Sequence, residues 1–126
     1  MKRPSKILEK KLRAYQKTLI KTFESSNRKP KVIIGVEHKN LRSTDKSGPV
    51  PTTLAPKLEK ELIKIAPLGQ KGHKYSVGCC CEVSSSNKLI LKRPSIPIAD
   101  LVFTDAIRVF SGQRKARCQN CKDVFG

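Results

Sequence analysis

The sequence predicts a small α/β fold, a sheet packed with helices in a single domain that spans residues 1–126. Two segments carry apolar residues at the three- and four-residue spacing of an amphipathic helix. Two others, 31–37 and 101–109, are short β-branched runs that favour strands. Helices that alternate with strands along a chain indicate a sheet covered by helices, and a chain of this length supports one modest core.

The first helix is predicted from Ser5 to about Ser25, within a basic amphipathic segment at residues 1–29. Its apolar face follows helical spacing and consists of Leu8, Leu12, Tyr15, Leu19 and Phe23. Its opposite face is basic and consists of Lys6, Lys10, Arg13, Lys17 and Lys21. Because residues 1–32 hold eleven Lys or Arg and two acids, this face is either solvated or turned towards phosphates.

The first strand is predicted at residues 31–37. Polar, turn-rich sequence follows through Thr53 and indicates a loop with room for short strand pieces. A second helix is then predicted from the helical spacing of Leu54, Leu58, Leu62 and Ile65. Pro67 and Gly69 end it.

Three elements complete the predicted fold. A short helix begins at about Cys80 and must stop at Pro94, because proline cannot continue a helix. The second clear strand, residues 101–109, is followed by the basic turn SGQRKAR. A last helix is predicted to begin in the segment CQNCKDVF.

The net charge of the chain is +17, from 27 Lys plus Arg against 10 Asp plus Glu. Such an excess is typical of proteins that bind polyanions, and nucleic acid is the leading partner. A solubilising surface is the simpler alternative, and an anionic membrane surface is a weaker one. No segment approaches the ~20 apolar residues that span a bilayer, and the first residues lack the apolar stretch of a signal peptide. With nucleic acid favoured over a membrane surface, no membrane partner is expected.

The five cysteines predict metal binding rather than disulfides. Their number is odd, which argues against a complete disulfide framework. Cys118 and Cys121 form a C-x-x-C motif, the spacing that tetrahedral zinc prefers. These thiols are therefore expected to be reduced ligands of Zn²⁺ in a reducing compartment.

The run GCCCEV supplies the third expected ligand. Zinc deaminases bind their metal with a His or Cys in a ligand-x-Glu motif and with the two cysteines of a C-x-x-C motif, and the glutamate carries protons without binding the metal. Only Cys80 stands two residues before Glu82, so the spacing selects it. Cys79 and Cys81 are expected to pack as small hydrophobic residues. The alternative is a four-ligand zinc knot that uses two of the three neighbouring cysteines.

Two stretches of the chain resemble the YwqJ-like deaminases, a branch of the cytidine deaminase-like superfamily found among bacterial polymorphic toxins. The first, TLAPKLEKELIKIA followed by YSVGCCCEVSSSNKL, resembles their pattern of a helix, then G-x-C-A-E, with serines one turn later and Cys81 at the alanine position. The second, LVFTDAIRVFSGQRKARCQNC, resembles their F-T-D strand, S/T-G turn and closing C-x-x-C. The resemblance covers roughly residues 31–126.

This resemblance implies the cytidine deaminase-like fold, a small mixed sheet packed with the metal-binding helices, and hydrolytic deamination of a nucleobase. It also implies a toxin effector domain, secreted or delivered into the cytoplasm of a target cell, with an immunity protein as a further partner. Two departures stand out. Arg117 occupies a position where many of these deaminases have proline, and the chain ends five residues after Cys121, so the fold is expected to be truncated after the C-x-x-C helix.

The expected reaction is the conversion of cytosine to uracil. The substrate is expected to be a nucleic acid, because a charge of +17 is poorly explained by a free nucleoside. DNA is the favoured polymer. Deamination of adenine or of free nucleotides is the alternative. Glu82 is the expected catalytic residue, which takes a proton from water and passes it to the base. The candidate substrate contacts are His73, Asn40, Lys115, Arg117 and Lys122.

Two other functions compete with the deaminase. The first is a non-catalytic, zinc-stabilised module that binds nucleic acid through its basic helices. The second is a metal-independent nuclease that uses His38, His73 and lysines, and the sparse context of these histidines makes it the weakest of the three. Glu82 discriminates the deaminase from the binding module, because only an enzyme needs a proton carrier beside its zinc.

Overall fold

A computed structural model describes residues 3–25, 31–73 and 76–126 of the chain. Its helices are α1 (Lys6–Phe23), α2 (Pro56–Leu62), α3 (Cys81–Lys92) and α4 (Gln119–Phe125), with one turn of 3₁₀ helix at Ile98–Asp100. Its strands are β1 (Val32–His38), β2 (Leu41–Lys46), β3 (Val102–Phe103), β4 (Ala106–Arg108) and β5 (Arg114–Lys115). The predicted α/β class is confirmed.

The five strands form one open sheet in the order β2-β1-β4-β5, with β3 also paired to β1. Every strand pair described is antiparallel, where the family resemblance implied a mixed sheet. For β1 and β2, the antiparallel pairing follows from the short connection between them. A tight turn at Lys39, whose φ is 55°, joins β1 to β2, and the segment predicted as a polar loop forms six residues of regular strand there.

β1 is the central strand and is buried on both faces. Ile33 packs in a cluster with Leu12 and Leu19 of α1. Ile34 packs on the opposite face with Cys81 of α3. Because successive side chains of a strand point to opposite faces, α1 covers one face of the sheet and α3 covers the other.

α1 confirms the first predicted helix; residues 1–2 and 26–29 of the basic segment lie outside the described part of the chain. Ser5 caps the helix, since its Oγ accepts a hydrogen bond from the Leu8 N–H at 3.1 Å. Ser5 also donates to the buried Glu37 carboxylate of β1, from its N–H at 2.6 Å and from its Oγ at 2.7 Å. Arg42 of β2 donates to the same carboxylate at 3.0 Å. Glu37 therefore ties the start of α1 to two strands.

α2, α3 and α4 confirm the three other predicted helices, and they pack together on the side of the sheet that α3 covers. α2 ends at Leu62, earlier than the predicted end at Pro67. The shared core of the three helices consists of Ala55, Leu58, Leu62, Val77, Val83, Ile90 and Cys121. α3 ends at Lys92, two residues before Pro94. The core thus brings the first turns of α3 and α4, which carry the predicted metal ligands, into one layer.

The strand predicted at 101–109 is interrupted, and the prediction of one continuous strand is corrected. Val36 pairs with Phe103 and Ile33 pairs with Ile107, so three steps along β1 correspond to four along its neighbour. This extra residue is a β-bulge. Thr104 fills the gap, since its Oγ1 accepts a hydrogen bond from the Gly35 N–H at 3.0 Å.

Within the described residues, no helix combines the length and the apolar character that a membrane crossing requires.

Replacement of Glu37 by alanine tests the link between α1 and the sheet. The change removes three hydrogen bonds, and it leaves a half-buried arginine without its partner. We expect the free energy of unfolding in urea to fall by about 2–3 kcal/mol. Glu24→Ala, at an exposed position after α1, is the control and should stay within about 0.5 kcal/mol of wild type. Equal losses in both variants would contradict a special role for Glu37.

Candidate metal centre and active site

Cys80, Cys118 and Cys121 form a cluster whose sulfur atoms all lie within 4.8 Å of one another. The Cys80 and Cys118 sulfurs are 3.1 Å apart. Cys80 is the residue that precedes α3, and Cys118 is the residue that precedes α4. Cys121 lies in the first turn of α4 and is buried. The structure therefore brings together the three residues that the sequence predicted as ligands.

Gly78 allows the chain to turn into α3 at this point. Its φ is +90°, a backbone conformation that favours glycine. The turn places Cys80 at the end of an extended segment, with φ −78° and ψ 153°, and the helix starts at the next residue. The glycine of the GCCCEV run is thus a geometric requirement for the position of Cys80.

The two neighbouring cysteines lie outside the ligand group. Cys81 is buried against the sheet in a cluster with Val32, Ile34 and Ala106. Burial raises the pKa of the Cys81 thiol well above its usual range, and the charge of Glu82 raises it further. Cys79 is half-buried and lines the adjoining cavity. Of the three consecutive cysteines, only Cys80 belongs to the ligand group, as the spacing to Glu82 predicted. Cys81 packs in the core as expected, whereas Cys79 is only half-buried.

The three clustered thiols shift one another's pKa. Hydrogen bonds from the Cys121 and Cys80 thiols lower the pKa of Cys118, and the backbone amides of Cys121 and Asn120 lower it further. The same sulfur–sulfur hydrogen bonds to Cys118 raise the pKa of Cys80 and of Cys121. Cys118 is therefore the thiol of the cluster that ionises most readily, and metal binding would release the protons of the thiols that bind the ion.

The donor set fits a zinc ion. Zinc–sulfur bonds of ~2.3 Å in tetrahedral geometry place two sulfurs ~3.8 Å apart. All three sulfurs lie within 4.8 Å of one another, and those of Cys80 and Cys118 are 3.1 Å apart. Across residues 3–25, 31–73 and 76–126, the ligand group contains these three cysteines and no further His, Cys, Asp or Glu. Three protein ligands are typical of catalytic zinc sites, which leave the fourth position to water or substrate, whereas structural sites use four.

Glu82 is buried beside the cluster, with 4% of its surface exposed. It lies in the first turn of α3 and is not a member of the ligand group. Its Oε1 accepts a hydrogen bond from the Cys81 thiol at 3.3 Å. Its Oε2 lies 3.6 Å from Nε of Arg117. A buried carboxylate next to three cysteine sulfurs is the arrangement that the ligand-x-Glu motif predicted.

A cavity of about 290 Å³ opens onto this group. Glu82, Cys80 and Cys118 line it, together with Lys31, Val32, Ser47, Ser76, Cys79, Cys81, Ala106, Lys115 and Ala116. We call it the cysteine cavity. The β-bulge after Phe103 immediately precedes Ala106, which forms part of its wall.

A second cavity of about 250 Å³ lies on the other side of Glu82. The two cavities share four lining residues, Glu82, Ala106, Lys115 and Ala116. Four cations line the second one, Arg114, Lys115, Arg117 and Lys122, and we call it the basic cavity. Of its two carboxylates, Asp105 pairs with Arg114 at 3.1 Å and Glu82 pairs with Arg117.

The basic cavity is lined by three of the five predicted substrate contacts: Lys115, Arg117 and Lys122. His73 lies elsewhere, with its Nε2 2.8 Å from Oδ2 of Asp123 in a separate cavity on α4. Asn40 is in the turn after β1. Val32, the first residue of β1, lines the cysteine cavity. Asn40 follows the other end of β1, so the length of this strand, ~20 Å, separates it from the cavity. Neither residue belongs to the site in this structure.

Two features of the site were not predicted from the sequence. Arg114 lines the basic cavity, and the only signal for it was its place in the basic turn. The ion pair between Arg117 and Glu82 joins residues far apart in the sequence. The only sequence signal for this ion pair was that residue 117 is arginine rather than proline. This signal does not reveal that Glu82 is the partner of Arg117.

The comparisons with known proteins found no match: no family model, no curated protein and no solved structure resembles this chain closely enough. The resemblance to the YwqJ-like deaminases therefore remains a prediction.

Zinc content of purified variants tests which cysteine is the ligand. Cys80→Ala removes one sulfur of the cluster. We expect zinc affinity to fall by more than about 100-fold, because even outer-shell losses cost about 10–100-fold. Cys79→Ala is the matched control and should retain one zinc per chain, as measured by mass spectrometry. Loss of zinc in Cys79→Ala as well would contradict the three-cysteine site and favour a four-ligand zinc knot.

Proposed function

We propose that this chain is a zinc-dependent hydrolytic deaminase that converts cytosine to uracil in nucleic acid, with DNA the favoured polymer. The observation that carries the proposal is the buried carboxylate of Glu82 in the same cavity as Cys80 and Cys118. Zinc deaminases require a three-ligand metal site and an adjacent glutamate that is not a ligand. The resemblance to toxin deaminases adds the proposal of an effector domain with an immunity protein as partner.

The residues have separate roles in this proposal. Cys80, Cys118 and Cys121 would hold the zinc, which supplies a Lewis acid that activates water. Glu82 would take a proton from the attacking water and pass it to the ring nitrogen of the base, then take the proton of the newly attached hydroxyl group and deliver it to the amino group, which leaves as ammonia. Its burial excludes bulk water from this carboxylate and strengthens the electrostatic interactions around it.

The basic cavity supports nucleic acid as the substrate. It adjoins the cysteine cavity through Glu82 and Lys115, so a base beside Glu82 would have its sugar and phosphates near a wall of cations. The basic cavity has four cationic side chains and two carboxylates, and each carboxylate pairs with an arginine. The net charge of the side chains that line the cavity is therefore positive. We propose Lys115 and Lys122 as phosphate contacts, because phosphate binding by Lys and Arg supplies most of the affinity for a polyanion.

The proposed reaction is tested by Glu82→Gln, which keeps the size and polarity of the side chain but removes the proton carrier. We expect zinc content to be unchanged and the rate of cytosine conversion to fall by about 10²–10⁴-fold. Sequencing of single-stranded DNA, duplex DNA and RNA after exposure to the protein, scored for C-to-T and A-to-G changes, identifies the base and the polymer together.

Glu59→Gln, an exposed change on α2, is the control for this experiment and should convert cytosine at the wild-type rate. Conversion by Glu82→Gln at the wild-type rate would contradict the proposed role of Glu82. A wild-type protein loaded with zinc that converts neither base in any of the three polymers would refute the deaminase.

The phosphate contacts are tested by Lys122→Ala, made together with Glu82→Gln so that the substrate is not consumed. We expect weaker binding of an oligonucleotide and a plot of log K against log[salt] that is shallower by about 0.7–0.9, the value of one phosphate contact. Lys92→Ala is the matched control, since Lys92 ends α3 about 17 Å from its first residue. Equal changes in both variants would show that Lys122 acts only through total charge.

A zinc-stabilised binding module is the second candidate, and one observation favours it. Cys121 belongs to the same core cluster as Leu58, Val83 and Ile90, so a metal held there would join α3 to α4 and stabilise the fold. This function predicts salt-dependent binding of nucleic acid in both wild type and Glu82→Gln, with no conversion by either.

A further inference from the structure

Arg117 is tied to the site by its direct contact with Glu82. Nε of the guanidinium lies 3.6 Å from Oε2 of Glu82, and only 24% of the arginine side chain is exposed. We infer that Arg117 is a positioning residue, which fixes the orientation of the Glu82 carboxylate, rather than a phosphate contact as the sequence indicated. This inference rests on the proposed function, in which Glu82 carries protons.

The contacts of the Glu82 carboxylate determine its plane. The Cys81 thiol holds Oε1 at 3.3 Å, and Arg117 holds Oε2 from the side of the basic cavity. The Cys81 thiol uses one of the about four lone-pair sites of the carboxylate, whereas Arg117, at 3.6 Å, orients Oε2 by charge rather than by a hydrogen bond. A proton carrier must stay within hydrogen-bond reach of both the group that gives the proton and the group that receives it. Because Oε1 contacts Cys81 and Oε2 contacts Arg117, the Glu82 carboxylate is held in one orientation and can stay within this reach.

Arg117 is itself held on two further sides. Its guanidinium lies over the Phe103 ring at 4.8 Å from the ring centroid, a favourable cation–π distance. Its Nη1 donates a hydrogen bond to the Gly126 carbonyl at 2.6 Å. Phe103 in turn packs edge-on against Phe125, with 5.1 Å between centroids. A cation anchored at three points has little freedom to turn outward to a phosphate.

The contact between Arg117 and Glu82 is connected to the candidate metal site through the chain itself. It directly precedes Cys118, so the backbone that places a ligand sulfur also places the guanidinium. Phe103 lies in β3, which is paired with β1 just before the bulge. The proton carrier, a ligand and the sheet edge are therefore connected through one arginine side chain.

Steady-state kinetics of the zinc-loaded protein on a cytosine-containing oligonucleotide test the inference. Arg117→Gln removes the charge but keeps a polar side chain. We expect kcat to fall by about 10–100-fold, the effect of a misplaced catalytic group, with KM changed by less than about threefold and zinc content unchanged. Arg117→Lys restores the charge without the planar fork, so part of the lost kcat should return. Arg108→Gln, at an exposed position on β4, is the control and should match wild type.

A second measurement does not depend on activity. Thermal unfolding of wild type, Glu82→Gln, Arg117→Gln and the double variant, all loaded with zinc, forms a double-mutant cycle. We expect the double variant to lose less in Tm than the sum of the two single losses, because the second change removes a partner that is already gone. Additive losses would overturn the contact.

The outcomes separate this inference from the proposed function. Conversion by wild type, with an unchanged kcat and a raised KM in Arg117→Gln, would overturn the positioning role and return Arg117 to the phosphate contacts. No conversion by zinc-loaded wild type would refute the deaminase itself. The positioning role for catalysis would fall with it, while a non-additive unfolding cycle would still support the ion pair as a structural contact.

Discussion

The burial of β1 on both faces is the constraint on which the rest of the structure depends. Its alternate side chains point to different layers, so Ile33 packs against α1 and Ile34 packs against α3. α3 is thereby oriented by Cys81, the one cysteine of the run that faces the sheet. Glu82, the next residue of the helix, is turned by about 100° from Cys81. Cys80 precedes the helix in an extended conformation, and both Cys80 and Glu82 line the cysteine cavity.

The candidate metal centre and the core are not separate parts of this protein. Cys121 contributes both a sulfur to the cluster and buried surface to the core that joins α2, α3 and α4. Metal affinity and folding free energy are coupled wherever a site is assembled by the fold. The contact between Arg117 and Glu82 adds a second connection between α3 and the segment before α4. A metal bound by this cluster would therefore stabilise the packing that positions Glu82.

The sequence predicted what local spacing determines. The helical faces, the choice of Cys80 over its neighbours and the helix stop before Pro94 all follow from residues within one or two turns of each other. The bulge at Thr104 was not predicted, because it arises from a hydrogen bond to Gly35, a partner far away in the sequence. For the same reason His73 was misplaced: its loop is held by Asp123 and Asn120 of α4. Contacts across long sequence separations have no periodic signature.

The excess positive charge is divided between the two faces of the sheet, and this division limits what each part can do. The basic face of α1 lies on the side away from α3, and two packing layers of about 10 Å each separate them. At physiological salt the Debye length is about 8 Å, so these lysines are largely screened from a phosphate beside Glu82. In a nucleic-acid deaminase the basic cavity would position the reacting nucleotide. α1 would instead contact a different stretch of the polymer or raise the rate of encounter, and substitutions on α1 would then alter association without altering the choice of base.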